Sequence, residues 1–236
     1  MISSKILLIG ETRVGKSSLG NFILGKQVFP VGNGCCYSET KETKGEYGDG
    51  EKNGIFVIDT PGLKEDLDQM IDYIKSNPGL QSIIIVINFN QKSFGLHIRT
   101  ILKVLYIIFP TSDFWSHVAI IWTKFYYYLS EKEKNEREIN SSKYIQKIIN
   151  NIKTTIDDIT IKSFPTFFVD SDFEKKDQFS REEINKLIAW VNQLSPLDIS
   201  EIKHEYNEIQ KTVIEKSIRA TTKVVKMLKI LKKKKF

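Results

Sequence analysis

Cysteine is almost absent from this chain: two residues, Cys35 and Cys36, stand side by side in a total of 236. Adjacent cysteines cannot build a disulfide framework, so they read as small loop residues in a protein expected to inhabit a reducing compartment. Proline is scarce too, at six residues. With no low-complexity tract and no internal repeat, that scarcity argues against long linkers. No apolar run approaches the ~20 residues that cross a bilayer. The first one, Ile6 to Ile9, is short and leads straight into glycine, unlike a secretory signal. The opening Met-Ile-Ser-Ser lacks a myristoylation pattern and the closing KKKKF lacks a prenylation box. The expectation is a cytoplasmic protein, at most peripheral on membranes.

What is present is enough for a core. Hydrophobic residues make up 41% of the chain, which suits one large domain with an appendage. The net charge of +6 sits unevenly. From Pro196 onward there are ten Lys and one Arg against five acidic residues, so this tail accounts for all of it and the body is neutral. The expected division is a domain over 1–195 and a basic helical extension over 196–236.

Short aliphatic runs recur along the body: KILLIG (5–10), GIFVIDTPG (54–62), SIIIVINF (82–89), HVAIIW (117–122) and FPTFFVD (164–170). Each reads as a buried strand, with a further edge strand around Lys44 to Tyr47. KSSLGNFILG follows the first as a helix stopped near Gly25, and between the others amphipathic spacing predicts helices from Glu65 to Ser76, His97 to Phe109, Lys134 to Ile152 and Arg181 to Leu194. Strands alternating with helices imply right-handed crossovers: an α/β fold with a mostly parallel sheet and helices on both faces. Ligands on such sheets sit at the C-terminal ends of the strands.

Two glycine-bearing loops fall at that edge. The first, GETRVGKS (Gly10 to Ser17), fits G-x-x-x-x-G-K-S/T, whose backbone N–H groups wrap phosphates while the lysine and the last hydroxyl serve the terminal phosphates and magnesium. Glu11, Thr12, Arg13, Val14, Gly15, Lys16, Ser17 and Ser18 are therefore the candidate phosphate-side residues of a P-loop NTPase. The second loop, DTPG, offers Asp59 to the metal and the Gly62 N–H to a γ-phosphate. Ser17, Asp59 and a switch threonine would make the metal set. YSETKET (37–43) supplies two such threonines, Thr40 and Thr43. Lys16, the switch threonine and Gly62 are the groups expected to act on the γ-phosphate.

From Lys5 to about Leu194 the chain resembles the GIMAP family, the immune-associated nucleotide-binding GTPases related to septins and to the Toc GTPases of chloroplast import. The resemblance is carried by GETRVGKSSLGNFILG, SETK, DTPGL and the segment IIIVINFNQKSF…IRTILKVLYIIFP. SETK aligns with the family's Ser-x-Thr-Lys switch, which selects Thr40. The resemblance implies a P-loop G domain that binds GTP and GDP with Mg²⁺, hydrolyses GTP as a molecular switch, and forms a homodimer or oligomer in the GTP state.

Two departures bear on chemistry. Guanine is usually held by the carboxylate of an Asn/Thr-Lys-x-Asp motif. Here Thr123 and Lys124 are followed by Tyr126 where the Asp should stand, and the next carboxylate is Glu131. Either a tyrosine stacks on or hydrogen-bonds the base, or the acidic partner comes from elsewhere, with Asp170 in FVDSD the candidate, and the residues alone leave ATP open. The position after Gly62 that often carries a water-orienting glutamine is Leu63. Slow hydrolysis follows, accelerated only by a group supplied in trans, for which Arg13 and Arg99 are candidates. Gln69 reads as a surface residue of the next helix.

In the tail, Ile199, Ile202, Tyr206, Ile209, Val213, Ala220, Val224, Met227 and Leu231 recur at helical steps. Such a helix can fold back on the domain, pair with another chain, or lie on an anionic membrane. The closing Lys226, Lys229 and Lys232 to Lys235 favour the lipid surface. No aromatic or glycine recognition pattern accompanies this charge, so no nucleic acid partner is expected.

Overall fold

The computed structural model describes residues 4–32, 40–62, 67–90, 95–109, 111–125, 129–156, 161–172, 177–200 and 202. Cys35, Cys36, Leu63, Tyr126 and the tail beyond 202 lie outside these residues.

The elements follow in the order β1 (Ser4–Ile9), α1 (Lys16–Leu24), β2 (Lys44–Tyr47), β3 (Ile55–Asp59), α2 (Leu67–Ser76), β4 (Ser82–Asn88), α3 (Gly95–Ile108), β5 (Val118–Thr123), α4 (Glu131–Ile156), β6 (Thr166–Val169) and α5 (Gln178–Val191). The six strands form one sheet in the order β2-β3-β1-β4-β5-β6. Every pairing is parallel except β2 with β3, which is antiparallel and makes β2 an edge.

Period-2 alternation explains why the strands read as unbroken aliphatic runs: both faces are covered. Leu7 and Ile9, Phe56 and Ile58, Ile83, Ile85 and Ile87, and Ile120 and Trp122 share one core with residues of α2, α3 and α4. Ile6 and Leu8, Val57, Ile84 and Val86, and Ile121 and Val169 share the other with α1 and α5. Leu197 and Ile202, beyond the last helix, are buried in the first core. Leu197 N–H donates to the Leu80 carbonyl and Gln81 Nε2 to that of Leu194, which holds this segment along the start of β4.

Helix boundaries depart from the periodicity where polar caps decide them. Helix α4 begins at Glu131 rather than Lys134, because Ser130 and Glu133 form a reciprocal capping box: Ser130 N–H donates to Glu133 Oε2 at 3.0 Å and Glu133 N–H to Ser130 Oγ at 3.3 Å. Helix α5 starts at Gln178 because the Asp177 carboxylate accepts from the N–H groups of Phe179 and Ser180. Strand β5 starts at Val118, one residue later than expected. His117 is instead in a short 3-10 turn, its ring nitrogens beside the Gln81 carbonyl at 2.7 Å and Asp113 Oδ2 at 3.1 Å.

Candidate nucleotide site at the C-terminal edge of the sheet

The loop from Gly10 to Gly15 joins β1, at the centre of the sheet, to α1. Two of its residues take left-handed backbone, Arg13 with φ 70° and Gly15 with φ 95°. Such turns aim successive N–H groups at one point, the geometry of an anion nest. Gly15 is the N-cap of α1 and, being glycine, supplies no side-chain cap of its own to the first N–H groups of that helix. Glu11 and Ser18 are half-buried, Thr12 and Arg13 exposed, and Val14 buried in the loop's underside.

Lys16 is 6% exposed. Its Nζ lies across the loop, donating to the Gly10 carbonyl at 3.2 Å and the Glu11 carbonyl at 3.0 Å. Ser17, one residue on, turns toward the end of β3. Its hydroxyl donates to Asp59 Oδ2 at 2.6 Å, and Thr40 Oγ1 lies 3.0 Å from Ser17 Oγ and 3.2 Å from Asp59 Oδ2. Three oxygen groups from three separate segments therefore meet at one place. Thr43 does not join them: it is buried, and its hydroxyl has no partner among the described residues.

Asp59 is 0% exposed, and its second oxygen, Oδ1, accepts no hydrogen bond from any described residue. Burial pushes its carboxyl pKa upward, opposed by the Ser17 hydrogen bond, the Lys16 charge, the Thr40 hydroxyl and the nearby Thr60 N–H. A buried carboxylate with an orphaned oxygen, flanked by two hydroxyls, is short of positive charge. That donor set fits a hard divalent cation, and the nest with Lys16 beside it fits the polyphosphate such a cation accompanies. Gly62 follows on the same edge and is buried.

The base-side residues divide. Thr123 ends β5, fully buried, and its hydroxyl reaches the carbonyls of Val14 and Ile87. It braces the phosphate loop against the sheet. Lys124 follows with a left-handed φ of 58° and is half-buried. Asp170 is buried just past β6, its N–H donating to Ser180 Oγ at 2.9 Å. The neighbouring Ser171 reaches the loop as well: a Cβ placed on Gly15 would lie 3.6 Å from Thr123 Oγ1 and 3.8 Å from Ser171 Oγ. The ends of β5 and β6 thus converge on Gly15. Glu131, by contrast, is exposed at the start of α4 and pairs with Lys134 at 2.8 Å. Arg99 lies on α3, where burial together with the Arg99 charge lowers the Lys103 pKa, and its charge also acts on Tyr144 of α4.

One expectation is corrected. Gln69 is not a plain surface residue, because its Oε1 accepts the Thr43 N–H at 3.0 Å. Sequence reasoning also passes over Tyr73, whose hydroxyl accepts the Gly45 N–H at 2.7 Å. The only signal is two polar-tipped residues four apart on a helix whose neighbouring positions, Met70, Ile71 and Ile74, are apolar.

The profile of the AIG1 family matches residues 4–221 of this chain. The chain belongs to the AIG1 family. Immune-associated nucleotide-binding protein 5 of Arabidopsis thaliana is 37% identical over an alignment of 92 residues that covers 35% of this AIG1-family chain and 28% of that protein. The match thus spans little more than a quarter of that relative's length. Among solved structures, Toc33 of Arabidopsis thaliana in complex with GDP and Mg²⁺ superposes with a TM-score of 0.61 at 17% identity, covering 85% of this chain and 89% of that one. Toc33 with Mg²⁺ and GMPPNP gives 0.60 at 18%, covering 84% and 88%. A structure addressing dimerization and GTPase activity of the chloroplast translocon components atToc33 and psToc159 gives 0.63 at 19%, covering 84% and 87%. At these identities the likeness establishes the fold, the P-loop G domain that the strand order and motifs imply.

Proposed function

We propose that this AIG1-family protein binds guanine nucleotides with magnesium and hydrolyses GTP slowly, as a switch that self-associates in its GTP state. The observation that carries the reading is the meeting of Ser17, Thr40 and the buried Asp59 carboxylate, one oxygen of which has no partner among the described residues, beside the phosphate loop. Backbone N–H groups of Arg13 to Ser17 take the phosphates, and Lys16 leaves the Gly10 and Glu11 carbonyls to counter the β- and γ-charge. Ser17 and Thr40 would hold the metal together with Asp59. Magnesium, when bound, neutralises charge on the β- and γ-oxygens. Gly62 presents its N–H to the γ-phosphate, so the two switch segments report whether that group is there. Thr123 acts through Val14, keeping the loop in register, while Lys124 and Asp170 border the base.

Guanine is favoured over adenine by family membership and by what the relatives' structures contain: Toc33 was solved with GDP and with GMPPNP. Self-association draws support from the same relatives, since dimerization is tied to the GTPase activity of atToc33 and psToc159, and a mutant of Toc33 is described as dimerization-deficient. No described helix is long and apolar enough to cross a membrane. Membrane contact, in this reading, belongs to the closing Lys226, Lys229 and Lys232 to Lys235. Leu63 in place of a water-orienting glutamine supports a second reading, a nucleotide-dependent scaffold with negligible hydrolysis.

Calorimetry with GDP, a nonhydrolysable GTP analogue and their adenine counterparts, with and without magnesium, tests the proposal. Magnesium-dependent heat with guanine nucleotides, lost in Lys16→Ala, is the expected result. No heat from any purine nucleotide would overturn it, and a preference for ADP over GDP would move the assignment to ATP. Turnover per molecule that climbs with protein concentration marks activation in trans, whereas a negligible rate at every concentration leaves the scaffold.

A further inference from the structure

Helix α2 begins at Leu67, five residues past Gly62 in the chain. One of the two switch segments is therefore attached to it covalently. The other is attached through side chains. Gln69 and Tyr73, four residues apart and so on one face of α2, accept the N–H groups of Thr43 and Gly45 at 3.0 and 2.7 Å. Thr43 is three residues past Thr40, at most about 10 Å of extended chain. Fixing its backbone therefore restricts where the Thr40 hydroxyl can go.

The local packing is built for this contact. Glycine at 45 is required, since a Cβ there would lie 2.3 Å from Phe56 Cζ and 2.7 Å from the Tyr73 hydroxyl. Any larger residue would push that oxygen off the strand. Lys44–Tyr47 is the sheet's edge, paired on one side with β3. An N–H on such an edge ordinarily goes to water or to another strand. Here the Gly45 N–H goes to α2. Met70, Ile71 and Ile74 anchor the helix in the core, so the clamp is fixed to a rigid support.

We infer that Gln69 and Tyr73 are positioning residues that clamp the segment carrying Thr40 to α2, so that closure of Thr40 over Ser17 and Asp59 and the placement of α2 are coupled. The inference rests on the proposed nucleotide switch and deepens it: the clamp favours the triphosphate state, in which Thr40 is engaged. Coupling of this kind is reciprocal, so engagement of Thr40 by the triphosphate holds α2 by the same factor.

Stopped-flow dissociation of a fluorescent nonhydrolysable GTP analogue and of fluorescent GDP, both with magnesium, tests it on the full chain. Each of Gln69→Leu and Tyr73→Phe should speed release of the triphosphate analogue about fivefold, the worth of one hydrogen bond. GDP release should stay within about twofold, because that state does not draw on Thr40. Gln69→Glu, which keeps an acceptor, should restore the wild-type rate. Amide exchange supplies a direct readout, with faster exchange at Thr43 in Gln69→Leu and at Gly45 in Tyr73→Phe. Equal changes for both nucleotides, or unaltered exchange at those amides, would overturn the clamp while the nucleotide reading stands. A wild-type chain that binds neither nucleotide overturns that reading and the clamp with it.

Discussion

Asn21 to Ala is the substitution whose cost follows most directly from the structure. Asn21 lies on α1 facing the segment that follows the helix, and it is 2% exposed. Its Oδ1 accepts the N–H groups of Val28 at 2.9 Å and Phe29 at 2.8 Å, while Nδ2 donates to the Phe29 carbonyl at 2.8 Å. One side chain thus satisfies three backbone groups of a stretch that has no ladder of its own. Both bonds to Phe29 are buried and the one to Val28 is partly so. Removing the amide strands those groups, at about 1–2 kcal/mol for each buried one and about 1 kcal/mol for the third, or roughly 3–5 kcal/mol together. Against a domain stability of about 5–15 kcal/mol that is a large share. Urea unfolding of the variant should show an unfolding free energy lower by that amount, through an earlier midpoint at an unchanged slope. Asn77→Ala is the reference, because Asn77 makes one partly buried bond, to the Tyr73 carbonyl at 2.9 Å, worth about 1 kcal/mol. If Asn21→Ala costs no more than Asn77→Ala, water has replaced the amide and the claim that these backbone groups depend on it is wrong.

Three further outcomes are expected. Thr123→Val keeps the shape but removes the hydroxyl shared by the Val14 and Ile87 carbonyls; nucleotide affinity should fall about tenfold and stability by about 1–3 kcal/mol, read by calorimetry and thermal melting. Lys52→Met removes the ammonium that caps the end of α1 through the Phe22 and Ile23 carbonyls, and urea unfolding should show stability lower by about 1–2 kcal/mol. Glu138→Gln should raise the melting temperature at pH 7. Burial, then the nearby Glu183 and Glu131, hold the Glu138 pKa above the usual glutamate range. A carboxyl raised in the folded state penalises folding above that pKa and ceases to do so once both states are protonated, so the advantage should vanish below about pH 4. A gain that persists there would point to packing instead of charge.

Local patterns in the chain carry much of this protein. Unbroken aliphatic runs such as ILLI and FVID announce strands covered on both faces, because a one-sided strand would alternate. Gly10, Gly15, Lys16 and Ser17 announce a phosphate loop through spacing alone, since their roles belong to a single turn entering a single helix. The starts of α4 and α5 are less legible. The capping box of Ser130 with Glu133 and the Asp177 cap act on backbone groups, and hydrophobic periodicity does not register them.

What the tertiary structure alone decided is the specific contacts between segments far apart in the chain. From the residues themselves, Thr40 and Thr43 are equivalent loop threonines; the geometry brings Thr40 to Ser17 and Asp59 and turns the backbone of Thr43 to Gln69. Thr123 stands in sequence in a Thr-Lys pair that lacks its usual Asp, and only the structure brings its hydroxyl to the Val14 carbonyl, 109 residues away. Gln69 reads as solvent-facing surface and in the structure holds the segment entering the edge strand. A residue's propensity is a property of its neighbours in sequence, whereas these partnerships depend on strand order, register and the path of loops across the sheet edge. Those are set only when the whole core closes.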